Sequence, residues 1–131
     1  MNTAAHRRKP KKILIVDDTP DNVQFLALRL RSANFEVHVA FSGEDGIQKA
    51  RQEPPDLIIL DVMMPGLNGF QVCRKLKQDP TFEQTPIVFL TAKDQPSDRF
   101  WGFEVGATEY LTKPIDPRML VQKVQQLLQV T

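Results

Sequence analysis

The apolar positions of this chain switch between two periods. Short, nearly unbroken apolar runs recur at "KILIV" (Lys12–Val16), "LIIL" (Leu57–Leu60) and "IVFL" (87–90), and "EYLT" (Glu109–Thr112) is a shorter run of the same kind. "EVHVA" (Glu36–Ala40) alternates with period two, as a half-exposed strand does. His38 then points away from Val37 and Val39, as a solvent-facing edge residue and not a ligand. Between these runs the spacing becomes helical. Val23, Leu26, Ala27 and Leu30 share one face of a first helix, with Thr19 as its cap and Pro20 at its first position, where the missing N–H costs nothing. Phe25 and Leu28 fall off that face and either widen the stripe or meet another surface. Ser42 and Asp45 form a capping-box pattern before "EDGIQKARQ", the second helix. "GFQVCRKLKQ" is the third, with Phe70, Cys73 and Leu76 along one side and Cys73 as a small buried hydrophobe. "SDRFWGFEV" starts a fourth near Ser97, and "DPRMLVQKVQQLLQ" is a fifth with Pro117 in its first turn.

Strand and helix patterns in strict alternation predict βα units, a parallel sheet and an α/β fold. Helices on both faces explain strands that are apolar on both sides. Right-handed crossovers leave few doubly wound topologies, and for five strands the expected order is 2-1-3-4-5. The folded unit is a single (βα)5 domain over residues 12–129, preceded by a tail over residues 1–11. In such sheets ligands bind at the carboxyl ends of the strands, where the strand order reverses between the first and third. Those two ends carry Asp17, Asp18 and Asp61.

Composition narrows this picture only a little. A 41% hydrophobic and 25% charged chain is globular and not disordered. The net charge of +1 points to no partner, but Arg7, Arg8, Lys9, Lys11 and Lys12 crowd the start beside His6. A solvated tail accounts for them, since no aromatic residue is interleaved to stack on bases as a nucleic-acid arm requires. Cys73 is the only cysteine, so no internal disulfide forms, which suits a reducing cytoplasm. No apolar run approaches the length of a membrane span, and "ILIVDD" is too short for a signal peptide. There is no internal repeat or low-complexity stretch.

The three carboxylates are what the fold alone does not explain. At about 4 Å a like-charged pair costs roughly 1 kcal/mol in water and about 4 kcal/mol at an effective dielectric near 20, so something must compensate them. The available ligands are hard oxygens, which suit Mg²⁺ better than Zn²⁺. Thr91 follows the fourth strand and Lys113 the fifth, bringing a hydroxyl and a fixed positive charge to the same rim. Taken singly, Asp-Asp before Thr-Pro is a turn and helix start, and Lys-Pro is a loop. Taken together at four strand ends they make a phosphoryl site, in which an aspartate attacks phosphorus while a metal and a lysine neutralise the equatorial oxygens.

The stretches "ILIVDD", "DLIILDVMMPGLNGF", "IVFLTA" and "GATEYLTKPI", in this order, resemble the receiver domain of response regulators in bacterial two-component signalling. The likeness runs over about residues 12–128 and implies a flavodoxin-like fold. It implies that Asp61 is the phosphoacceptor and that Asp17 and Asp18 hold Mg²⁺, with Asp18 the more direct ligand and the backbone carbonyl of Met63 a further one. Lys113 contacts the phosphoryl group, Thr91 is the switch hydroxyl, Tyr110 is the aromatic residue that turns inward with it, and the Lys113–Pro114 bond is cis. The implied donor is a histidine kinase, and the chain transfers the group to itself without a separate substrate. The implied readout surface is the fourth helix, fifth strand and fifth helix, facing an effector domain or protein or a second copy of the chain. No nucleic acid or membrane is expected to bind this domain, which is expected to be cytoplasmic.

Two features are particular to this chain. Phe100, Trp101 and Phe103 lie within four residues and cannot all face the sheet, so Trp101 is expected to anchor a dimer or partner contact. Met63, two residues past Asp61, cannot position a water molecule, so slow self-dephosphorylation is expected. Rival readings fit less well. A haloacid-dehalogenase-type phosphatase needs its nucleophile in an Asp-x-Asp pattern after the first strand, where this chain has Asp17-Asp18-Thr19. A pseudo-receiver that serves only as an interaction module typically loses the acidic pair or the lysine, and both are kept here. Neither G-x-x-x-x-G-K-[ST] nor G-x-G-x-x-G occurs, against a nucleotide-binding enzyme. The wider stretch "DVMMPGLNGFQVCRKLKQDP" looks like receivers attached to diguanylate cyclases or sensor kinases.

Overall fold

A computed structural model describes residues 9–130. Five strands, β1 (Lys12–Val16), β2 (Glu36–Ala40), β3 (Leu57–Leu60), β4 (Ile87–Thr91) and β5 (Glu109–Thr112), alternate with five helices. The helices are α1 (Pro20–Ser32), α2 (Gly43–Gln52), α3 (Gly69–Lys77), α4 (Pro96–Glu104) and α5 (Pro117–Leu128). All strand pairs are parallel and the order is β2-β1-β3-β4-β5, the doubly wound topology expected from the alternation. Of the basic segment over residues 1–11, residues 1–8 lie outside the described residues.

The unbroken apolar strands have a direct cause. Successive side chains point to opposite faces, and here each face is covered. Leu14, Val16, Ile58, Leu60, Ile87 and Phe89 join one core with residues of α2 and α3. Their neighbours Ile13, Ile15, Leu57, Ile59, Val88 and Leu90 join a second core with Val23, Leu26, Ala27 and Leu30 of α1 and Leu120 and Val124 of α5. A one-residue slip of β1 or β3 would exchange its sets between the two cores, so the register Val16↔Leu60 and Leu60↔Phe89 is tightly specified.

Local signals behave in different ways. Pro20 starts α1, but Thr19 makes no side-chain cap; Asp17 Oδ1 takes the Thr19 N–H instead, at 2.9 Å. Phe25 and Leu28 are exposed and do not widen the core stripe. Ser42 Oγ accepts the Asp45 N–H at 3.1 Å, while the Asp45 carboxylate turns to Lys49 at 3.2 Å, an i,i+4 pair. α3 has the fuller box: Asn68 and Gln71 each accept the other's backbone N–H, at 3.0 and 2.9 Å. Phe70 is only partly buried and meets Phe89 edge-on, with ring centroids 5.5 Å apart. Cys73 is fully buried and its thiol faces the Val105 carbonyl at 3.4 Å; burial pushes its pKa up to about 12.

One element carries no periodic signal. Pro80–Phe82 forms a single 3₁₀ turn between α3 and β4 that drives Phe82 into the core. The Lys77 ammonium folds beneath it and donates to the carbonyls of Phe82 and Thr85, at 3.0 and 2.6 Å. Phe82→Ala should therefore destabilise the chain by about 3–5 kcal/mol in urea unfolding. Leu28→Ala on the exposed side of α1 should stay within about 0.5 kcal/mol of the parent. Equal midpoints for the two variants would contradict this assignment of the core.

Candidate functional site

The parallel order brings the ends of β1 and β3 side by side. Backbone bonds from Asp17 N–H to the Ala40 carbonyl and from Asp61 N–H to the Val16 carbonyl, both 3.0 Å, continue the ladder past the last strand residues. Asp17 and Asp61 are consequently held at the rim yet nearly closed to solvent, at 4% and 6% exposure. Each has one oxygen tied locally: Asp17 Oδ1 by Thr19 N–H at 2.9 Å and Asp61 Oδ1 by Met63 N–H at 3.0 Å. The other oxygen of each faces Lys113, whose Nζ lies 2.9 Å from Asp17 Oδ2 and 2.9 Å from Asp61 Oδ2.

Lys113 is itself positioned. Its N–H donates to the Thr91 carbonyl at 2.8 Å, and the peptide bond that follows, to Pro114, is cis. Burial pulls the ammonium's pKa down, but the hydrogen bonds to Asp17 and Asp61 outweigh it and leave the pKa raised. The ammonium charge is thus kept through the pH range in which an ordinary lysine is charged, and is lost as pH rises through the raised value.

Of the other residues singled out by the sequence, Asp18 lies on the rim but is exposed, and the structure does not draw its carboxylate into the Lys113 bridge. Met63 also exposes its side chain. Thr91 is fully buried at the end of β4, with Oγ1 accepting the Lys93 N–H at a long 3.3 Å. Tyr110 is buried and points inward, donating its hydroxyl to the Lys93 carbonyl at 2.8 Å. The backbone of Lys93 therefore touches both residues, its N–H the Thr91 hydroxyl and its carbonyl the Tyr110 hydroxyl. Burial first, and then the nearby Asp98, push the Tyr110 phenol up to about 12.

Two glycines shape the rim. Gly66 sits at φ +76°, where a side chain is strained, and turns the loop after Pro65. Gly69 brings the start of α3 against the backbone of Asp61 and Val62, and a Cβ there would collide with the Asp61 carbonyl. An Asn-Gly pair opening a helix reads in sequence as a cap; the close approach is visible only in three dimensions.

The donor set fits a hard divalent cation. One ammonium against two buried carboxylates leaves the rim net negative even before Asp18 is counted, and every side-chain donor is oxygen. Elsewhere among the described residues, Glu36, His38 and Glu53 bring ligand atoms within 4.8 Å of one another. They lie at the outer edge strand, where His38 pairs with Glu36 and Lys12 with Glu53, each at 2.6 Å. His38 is solvent-facing there, on the side of β2 read from the alternation.

Comparison with known proteins gives this rim its context. A family model for the response regulator receiver domain matches residues 13–125. The response regulator PleD of Caulobacter vibrioides is 48% identical over 116 residues, 88% of this chain but only 26% of PleD, so the chain spans about a quarter of that relative's length. Protein PilH of Pseudomonas aeruginosa is 43% identical over 117 residues, covering 89% of this chain and 97% of PilH. A crystal structure of a putative response regulator from Chloroflexus aurantiacus superposes with a TM-score of 0.88 at 41% identity, over 92% of this chain and 99% of that one. The matched span takes in all but the first residue of the five strands, together with both carboxylates and the lysine between them. On that ground the chain belongs to the response regulator receiver domain family.

Proposed function

We propose that Asp61 accepts a phosphoryl group from a phosphohistidine of a histidine kinase, and that the chain works as a phosphorylation-regulated signalling switch. The observation that carries this reading is the Lys113 ammonium shared equally between Asp17 and Asp61. A cation so placed holds the Asp61 carboxyl aimed at the rim, and is ready to pass from a carboxylate oxygen to a phosphoryl oxygen. In the transfer, Asp61 Oδ2, released as Lys113 passes to a phosphoryl oxygen, forms a bond to phosphorus as the donor's phosphorus–nitrogen bond breaks, and the histidine leaves with that electron pair. Met63 N–H keeps the other carboxylate oxygen fixed during the attack. Lys113 meets charge on the transferred group, the preorganised stabilisation on which phosphoryl transfer relies. Asp17, Asp18, Asp61 and the Met63 carbonyl would hold Mg²⁺, which when bound neutralises phosphoryl oxygens that three carboxylates would otherwise repel.

The modified aspartate carries about −1.5 to −2 charges. Thr91 Oγ1, loosely held at 3.3 Å, is the hydroxyl that turns to the new oxygens. Tyr110 reports that turn through Lys93 to the surface formed by α4, β5 and α5. Phe100, Trp101 and Phe103 of α4 and Met119 of α5 stand exposed, with Trp101 at 52%, apolar side chains suited to an effector or to a second copy.

Three outcomes follow. Incubated with acetyl phosphate and Mg²⁺, the parent should gain one phosphoryl group by intact mass and Asp61→Asn none; equal labelling would refute the assignment. Met63→Asn, which places a water-binding amide beside the phosphoryl group, should shorten the phosphorylated lifetime several-fold by phosphate release, and an unchanged lifetime would exclude a role for Met63 in it. Trp101→Ala should weaken association of the beryllofluoride-treated chain by about tenfold or more in analytical ultracentrifugation, the loss of a typical aromatic anchor; unchanged association would remove Trp101 from the interface.

A further inference from the structure

Helix α4 packs against the sheet in an unusual way. An amphipathic helix ordinarily turns its large apolar side chains inward. In α4 these side chains, Phe100, Trp101 and Phe103, are all about half exposed, and the one buried helix residue is Gly102. Glycine in a helix interior is unfavourable relative to alanine, so the position calls for a compensating reason. The ring of Tyr110 supplies it. A Cβ on Gly102 would lie 2.6 Å from Tyr110 Cδ2 and 3.0 Å from Cε2. The space of the missing side chain is thus filled by an aromatic ring from β5. Around the same ring, Phe89 packs with centroids 5.7 Å apart, the Arg99 guanidinium lies 5.4 Å from the centroid, and Lys93 accepts the hydroxyl at 2.8 Å.

We propose that Gly102 is a positioning residue that creates the slot for the inward Tyr110 ring, and that α4 is seated on the sheet through this ring instead of through its own side chains. The inward orientation is available because residue 102 has no Cβ. Rotation of Tyr110 outward removes the main filling between α4 and the sheet, so the helix bearing Phe100, Trp101 and Phe103 shifts with the ring. The helix-forming advantage of alanine acts with Tyr110 in either orientation and cancels between them, whereas the collision exists only when the ring is inward. One methyl group at residue 102 therefore acts on the orientational equilibrium specifically. Its relevance to signalling rests on the switch role proposed for Tyr110; the slot itself does not.

The chain has one tyrosine, so fluorotyrosine labelling gives a single resonance that reports this ring. In the unmodified parent the resonance should be that of a buried ring, with a phenol titrating well above the ordinary value of 10.0. In Gly102→Ala the inward population should fall by about tenfold or more, the scale of an overpacked core methyl. The resonance should move to the solvent-exposed position, and the phenol should titrate near 10.0, as an ordinary tyrosine does. Gly102→Ser, with the same Cβ and a poorer helix former, should give the same tyrosine spectrum, which separates the slot from helix propensity. A ring that stays buried and hard to titrate in both variants overturns the proposal. Mg²⁺ and beryllofluoride added to the Gly102→Ala chain, where the ring starts outward, test the switch reading separately: a resonance that returns toward the buried position supports it, and one that ignores them counts against that reading and leaves the slot standing.

Discussion

Two carboxylates closed off from water at the end of a sheet require a positive charge, and Lys113 is that charge. Removing one partner from a buried ion pair leaves the other uncompensated, which costs far more than the pair contributes when intact. The rim therefore depends on a residue 96 positions from Asp17 and 52 from Asp61. Only a long-range topology can satisfy that. Parallel strands with β1 and β3 at the centre put the two aspartates side by side, and the chain must still pass through β4 and β5 before Lys113 returns across the rim. The anchor from Lys113 N–H to the Thr91 carbonyl makes the end of β4 part of the same construction. Fold and site are in this sense one requirement, because a register error in β4 or β5 would also strand the carboxylates.

How much of this is legible in sequence follows from the range of each interaction. The strands are, because burial on both faces leaves unbroken apolar runs. The order is, because crossover handedness and strand alternation leave few choices. The rim residues are, because a charge directly after an apolar strand has few structural reasons to exist. Phe82 is not: its burial depends on a single turn and on the Lys77 ammonium beneath it, neither of which has a period. Thr19 looks like a cap by residue type, yet its side chain makes no cap bond and its own N–H donates to Asp17. Asp18 reads as equivalent to Asp17, but only Asp17 is fixed by the ladder beyond β1, and Asp18 faces solvent.

The fourth helix marks the clearest limit of pattern reading. Three aromatics in four residues suggest a helix embedded by its large side chains, with at most one left over for a partner. In the fold none is embedded, because the space beneath the helix is occupied from the other side by Tyr110. Hydrophobic periodicity assigns a face on the premise that a helix fills its own interface. Where a strand residue fills it, the smallest residue marks the inner face and the bulky ones mark the outer, and the amphipathic reading inverts.

That inversion bears on how a change at the rim reaches the surface. The connection from Thr91 to α4 runs through Lys93: its N–H to Thr91 Oγ1, its carbonyl to the Tyr110 hydroxyl, and Tyr110 to Gly102 and Arg99. The hydrogen bonds among these links are not strong, although the Tyr110 ring itself is fully buried. A neutral hydrogen bond contributes about 0.5–1.5 kcal/mol net, and the 3.3 Å contact at Thr91 is at the weak end of hydrogen-bond geometry. For a switch this weakness is an asset. Moving a two-state equilibrium from one extreme to the other takes about 5.5 kcal/mol of differential stabilisation. A doubly charged group beside Lys113 and Thr91 can supply much of that only if it does not first have to break a tightly packed core. The packing is most continuous beneath the rim, in β1, β3 and β4, where it holds Asp61 still, while on the route to α4 only the Tyr110 ring is packed in the core. In the proposed switch, rigidity at Asp61 and weak hydrogen bonds along the route to α4 are complementary demands, and the two are met by different residues of the same strand ends.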